Sequence, residues 1–128
     1  PRAGTRGRRR GLRLTMPPKS ADPFDKVRKA AAALPHVTEE ISWGVPSLKV
    51  RRKMFACVAT NRSAEPGTLV VKVQFVDRDW LVHSKPDIYY LKPHYLDYPC
   101  VLVRLAKITQ KTLRELLEIS HEFVGRGG

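Results

Sequence analysis

Acidic side chains are scarce in this chain: twelve Asp and Glu stand against twenty-four Lys and Arg, a net charge of +12. Cysteine is rarer still. Cys57 and Cys100 form no CxxC and have no histidine beside them at metal-ligand spacing, so they are read as buried, reduced thiols. His36, His83 and His121 are scattered and no pair lies at i, i+4, which speaks against a metal site, and no cofactor is expected. No run of about eighteen apolar residues occurs, so no membrane-spanning helix is expected. The start lacks the apolar h-region of a secretory signal, and a cytoplasmic location is the default expectation.

The positive charge that is present is uneven. Residues 1–15 hold six arginines and no acid; the other 113 residues hold eighteen Lys and Arg against twelve Asp and Glu. A Gly/Arg composition cannot bury apolar surface, so residues 1–21 are expected to form a disordered basic tail ahead of one domain over 22–125. Met16-Pro17-Pro18-Lys19 reads as an initiation site. Residues 1–15 are then either an upstream extension or a nucleic-acid-binding arm, with an organellar transit peptide as a third reading.

Within the domain, Asp22 and Pro23 are expected to open a helix with Phe24, Val27, Ala31 and Leu34 on one face, stopped by Pro35. Short strands are expected at Glu40 to Trp43 and Ser47 to Val50, parted by Gly44-Val45-Pro46. A third runs from Lys53 to Thr60, joined to the second through a tight turn at Arg51-Arg52. "NRSAEPG" at 61–67 is a loop, and "TLVVKVQF" at 68–75 alternates as a half-buried strand. A short helix capped at Asp77 is expected to bury Trp80 and Leu81. The Tyr/Pro-rich stretch from Ile88 to Pro99 reads as a brief strand plus an ordered loop, followed by the strand "CVLVRL" at 100–105. Thr109 caps a last helix with Leu113, Leu116, Leu117, Ser120, Phe123 and Val124 on its apolar face. Ile108 and Leu113 staple its start, and Gly125 supplies its stop. The result is an α+β fold in the order α-β-β-β-β-α-β-α, a single largely antiparallel sheet with helices packed on one face. Trp43, Phe55, Val71, Trp80, Leu102, Leu116 and Phe123 are the expected core.

Several of these pieces resemble the YjbR/MmcQ-like family of small bacterial α+β proteins. The resemblance is carried by Leu34-Pro35, Trp43-Gly44-Val45-Pro46, Lys53-Met54-Phe55-Ala56, "LVVKV" at 69–73 and Pro93-His94-Tyr95, in that order. It implies a compact sheet with flanking helices, similar to a double-wing DNA-binding or secretion-chaperone-like fold. Members are commonly described as DNA-binding on the strength of that fold similarity, and the family brings no established catalytic residues. One departure stands out. Relatives usually carry Gly-Gly at the hairpin tip, where this chain has Arg51-Arg52, at a steric cost in a two-residue turn.

The resemblance and the charge pattern together give a candidate set of Lys49, Arg51, Arg52, Lys53, Lys72, Arg78, Lys92, His94, Tyr95 and Arg104, with Lys85 in the wider basic group. A cationic hairpin tip suits contact with phosphates, and Tyr89, Tyr90 and Tyr95 offer rings for stacking. The plainer reading is that these charges fill turns and solvated faces, with Asp77, Asp79 and Asp87 diluting any positive field. "KPHYLDYP" at 92–99 is the best small-site candidate, His94 and Tyr95 with Arg104 and Trp43 near them. The same density of rings and prolines equally suits a structural loop that caps the core, with His94 bonded to a backbone carbonyl. Catalysis is not expected: neither cysteine has an evident activating environment, and Glu39 and Glu40 point to opposite faces of a strand. The expected function is therefore a non-enzymatic, monomeric binding module, for nucleic acid or alternatively for a protein partner, with no membrane attachment.

Overall fold

The computed structural model describes residues 22–127; the basic tail expected over residues 1–21 lies outside them. Helix α1 is Phe24–Ala31. Four strands follow as a meander: β1 Val37–Ser42, β2 Val45–Val50, β3 Lys53–Val58 and β4 Thr68–Lys72. Helix α2, Phe75–Ser84, then leads to the two-residue strand β5, Tyr89–Tyr90, and a 3₁₀ turn at Pro93–Tyr95. Strand β6, Cys100–Arg104, and helix α3, Gln110–Gly125, complete the chain. All pairings are antiparallel, in the order β1-β2-β3-β4-β6-β5. The α+β class and element order are as expected.

Period-2 alternation divides the sheet's residues between two faces. Leu69 and Val71 of β4, Val101 and Val103 of β6, and Tyr89 of β5 join Phe24, Val27, Leu113, Leu116 and Leu117 in the main core. On the other face Cys100, Leu102 and Tyr90 meet Tyr95 in a smaller cluster, with Val70 against it. Helix α3 packs on β2, β3, β4 and α1, and α2 packs on β5 and β6. Among the described residues no α-helix packs over the second face.

Strand β3 breaks the alternation once. Leu48 is paired with Ala56 and Lys49 with Met54, so Phe55 is an extra residue, a β-bulge. Phe55 and Ala56 consequently both reach the main core, and Cys57 turns to the second face beside Val70.

The ends of the helices follow local chemistry. The Asp22 carboxylate accepts from the Phe24 N–H at 2.9 Å, as expected of a capping residue. Thr109 accepts from the Thr112 N–H at 3.1 Å, and Ile108 and Leu113 beside it are buried. Strand β1 starts at Val37 and not Glu40, β3 ends at Val58 and not Thr60, and β4 ends at Lys72, with Phe75 passing to α2. Three helix boundaries also differ from the sequence reading. Helix α1 ends at Ala31, and a turn from Ala31 to Leu34, not Pro35, finishes it. Helix α2 begins two residues before Asp77, with Gln74 as its cap residue, so Asp77 lies in the first turn. Gly125 is still helical, and the left-handed residue that ends α3 is Gly127 at φ +103°.

Two expected core residues are not in the core. Trp43 is 76% exposed and Trp80 is 65% exposed. Trp43 belongs to the β1–β2 turn: Ser42 pairs with Val45, which makes Trp43-Gly44 the two loop residues and gives Val45-Pro46 to β2. Trp80 lies on the outer side of α2, while Leu81 and Val82 pack inward. Phe55, Val71, Leu102 and Leu116 are buried as expected, and Phe123 is half-buried at the margin.

Candidate functional site

The sheet face without helices carries a groove of about 650 Å³. Its floor comes from β3, β4 and β6, where the phase set by the bulge points Met54, Cys57, Val70 and Cys100 the same way. Its walls are the β1–β2 turn, through Trp43, and the loop after β5, through His94, Tyr95 and Tyr98. Tyr95 is buried, and burial pushes its phenol above the ordinary value. His94 stands edge-on to it at 4.9 Å between ring centres, with Tyr98 at 6.4 Å. This is the contact that His94 makes where a backbone carbonyl was expected. Arg78 holds the loop, donating to the carbonyl of Leu96 at 2.8 Å while it lies over the Phe75 ring and bridges Asp79.

Of Trp43, His94 and Arg104, expected near one another, the first two line the same groove. Arg104 is elsewhere. Both of its outer nitrogens are committed, to Glu65 at 2.9 Å and to the carbonyls of Pro86 and Asp87, with the guanidinium 4.3 Å above the Tyr90 ring. It faces the same side of the sheet but is locked into structure, and its hydrogen bonds hold the Glu65 carboxyl below the usual range.

The other basic candidates fall into two kinds. Lys49 bridges Glu40 at 3.0 Å, and Lys92 lies 6.0 Å from the Tyr90 ring centre. Arg51, Arg52 and Lys53 are exposed at the β2–β3 turn, and Lys72 lines the groove. Among the described residues none of these last four has a carboxylate within 4 Å. Val50 pairs with Lys53, so Arg51-Arg52 is the two-residue loop that was expected, and its φ angles are +51° and +72°. Trp43 and Gly44 repeat the pattern at the other end of β2, with φ +52° and +80°. Turns of this hand favour Asn or Gly, because a side chain in the left-handed region costs about 1–2 kcal/mol. Three of the four positions hold large side chains instead.

The thiols at the floor are inert by environment. Cys57 and Cys100 are free and buried, and burial pushes both above the ordinary thiol value. They face the same way with strand β4 between them, so they do not approach as a disulfide pair. Met54 was not among the sequence candidates, and Tyr98 entered only as part of the segment 92–99. Their only advance signal was the alternation of β3, which the bulge hides, and an aromatic cluster at 95–98.

The chain is 29% identical to uncharacterised proteins of Mycobacterium tuberculosis, strain H37Rv, and Mycobacterium bovis, in matches that cover 73% of this chain and 81% of each relative. The crystal structure of Deinococcus radiodurans protein DR2400 superposes with a TM-score of 0.65 and 25% identity, over 84% of this chain and 83% of that one. The YjbR family model matches residues 32–123, from the end of the first helix nearly to the end of the last. That span includes both hairpin turns, the groove and the sheet that forms its floor, and the chain belongs to the YjbR family.

Proposed function

We propose that this protein is a non-enzymatic, monomeric binding module for nucleic acid, which it contacts through the Arg51-Arg52 turn and the cations of the uncovered sheet face. One observation carries the reading. Two arginines sit where the backbone favours Gly or Asn, exposed and without a carboxylate within 4 Å among the described residues. Local strain retained against turn preference gathers at functional positions, and two guanidinium groups at a hairpin tip suit a phosphate backbone. Lys53 and Lys72 add charge beside and behind the tip.

The test is fluorescence anisotropy of a labelled oligonucleotide over a salt series. Arg51→Gly/Arg52→Gly should weaken binding and reduce the slope of log K against log salt by about 2 on duplex DNA. An unchanged slope would remove the tip from the interface.

A protein-partner module is the second reading. It is favoured by Trp80 and Ile119, which are exposed on either side of a cleft of about 380 Å³ between α2 and α3, on the side away from the basic tip. Absence of binding to any oligonucleotide would put this reading first.

A further inference from the structure

We infer that the groove on the uncovered sheet face is a seat for unpaired bases, so that the nucleic acid this protein takes is single-stranded. The inference rests on the nucleic-acid reading above and adds a place, a strand state and a second set of residues.

The groove's chemistry separates it from the molecule's other clefts. Among the described residues Lys72 lines it and no Asp or Glu does. The cleft between α2 and α3 has Glu115 in its wall, and the one beside α1 has Asp22 and Glu65. An acid-free groove with one lysine accepts an anionic ligand, and its apolar floor of Met54 and Val70 accepts a flat, uncharged surface. A nucleotide is both.

The walls specify how the flat part is held. Trp43 presents its ring 76% exposed, and Tyr98 is 56% exposed across the groove. Exposed rings at a groove with a cation are the arrangement by which proteins stack successive bases of a single strand. A duplex offers only base edges, because its base faces are already stacked on one another. Trp43 also sits at φ +52°, a conformation that disfavours so bulky a residue. Both the strain and the exposure of this ring have a single account if a ligand covers it.

The groove and the basic tip are joined by β2. The Trp43 turn precedes that strand and the Arg51-Arg52 turn follows it, across the six residues Val45–Val50. At roughly 3.3 Å per residue the two turns are about 20 Å apart. A strand seated on Trp43 therefore needs several nucleotides to reach the arginines.

The experiment uses the full chain with Trp80→Phe, so that Trp43 is the only tryptophan and its emission reports the groove. Oligo(dT) of increasing length, a duplex of matching length and dTMP are titrated against this chain. The oligo(dT) and duplex titrations, read by the anisotropy of labelled strands, are repeated on Trp43→Asn, which suits the left-handed turn, on Tyr98→Ala and on Arg51→Gly/Arg52→Gly. Oligo(dT) should quench Trp43, and its affinity should rise with length until the strand reaches the tip. Trp43→Asn and Tyr98→Ala should each weaken oligo(dT) by roughly 5- to 150-fold while leaving the duplex affinity and the salt slope unchanged. If the arginine variant weakens both forms and the two ring variants weaken neither, the groove is not a base seat, and the phosphate reading survives alone. Binding of dTMP as tight as that of oligo(dT) would make the groove a small-molecule site and overturn the strand assignment. If neither oligonucleotide binds, both readings fall together.

Discussion

Ser120 of α3 donates its hydroxyl to the carbonyl of Phe55, 3.0 Å away and out of contact with water. Phe55 is the bulged residue of β3. A polar residue on the apolar face of α3 thus ties the helix to the backbone of the strand at its bulge. Ser120→Ala should cost about 0.5–1.5 kcal/mol, the net contribution of one intramolecular hydrogen bond. A urea midpoint that falls at unchanged slope is the expected signature.

Phe55 itself fills the space between β3 and α3, fully buried and edge-on to His121 at 5.8 Å. Phe55→Ala should destabilise by about 3–5 kcal/mol, and Leu116→Ala by about 2–5 kcal/mol. Thermal denaturation of the two variants would measure this, and a loss below 1 kcal/mol at Phe55 would contradict the packing described.

The two strained turns should respond in the opposite direction. Arg51→Gly/Arg52→Gly removes two positive-φ side chains from an exposed loop, and stability should stay level or rise by roughly 1 kcal/mol per position. Trp43→Asn should do the same at the other end of β2. Loss of stability in either variant would mean that these side chains hold the fold together.

Acid should unfold the protein in part through one cluster. Arg28 reaches Glu39 at 2.8 Å, Asp25 at 2.6 Å and Asp22 at 3.1 Å. The hydrogen bond from Arg28 lowers the Glu39 carboxyl, and the Phe24 N–H followed by Arg28 lowers that of Asp22. A carboxyl whose folded value is lowered stabilises fully above its unfolded value and stops doing so as pH falls through the folded one. The melting temperature should therefore be flat near neutrality and drop below the usual carboxylate range. Glu39→Gln should lower the neutral plateau and make that drop shallower.

The thiols give a check on the groove floor. Cys57 and Cys100 should react slowly with a disulfide reagent in the native state and rapidly in urea, because burial keeps both protonated. Rapid labelling of either in the folded protein would show the floor to be open.

Much of the fold was legible because local signals agreed with the global arrangement. The alternation at Leu69, Val71 and Val73, the Thr109 cap and the tight link at Arg51-Arg52 each needed only near neighbours. The two tryptophans were misread for one reason. Size and apolar character argue for burial, but exposure is decided by where a residue falls in its element: Trp43 is in a two-residue turn, and Trp80 is on α2 beside the inward Leu81 and Val82. At Trp43 the following glycine marked a two-residue turn, a cue that competes with the pull of a large apolar side chain. Of the groove only the nearness of Trp43 to His94 and Tyr95 was legible; its floor depends on the bulge, and its two walls are some fifty residues apart in the chain.

Among the described residues strand β1 has a partner only in β2, so its outer side is an edge of the sheet. Glu39 and Glu40 lie on that strand, with Ile41 exposed after them. Charged residues on an open edge discourage a second copy from adding its own strand. Here the deterrent is titratable, and the acid that removes it also loosens the Arg28 cluster behind it. Protonation thus turns a boundary of the molecule into a template, and light scattering in concentrated solution should rise with acidification before the sheet is lost.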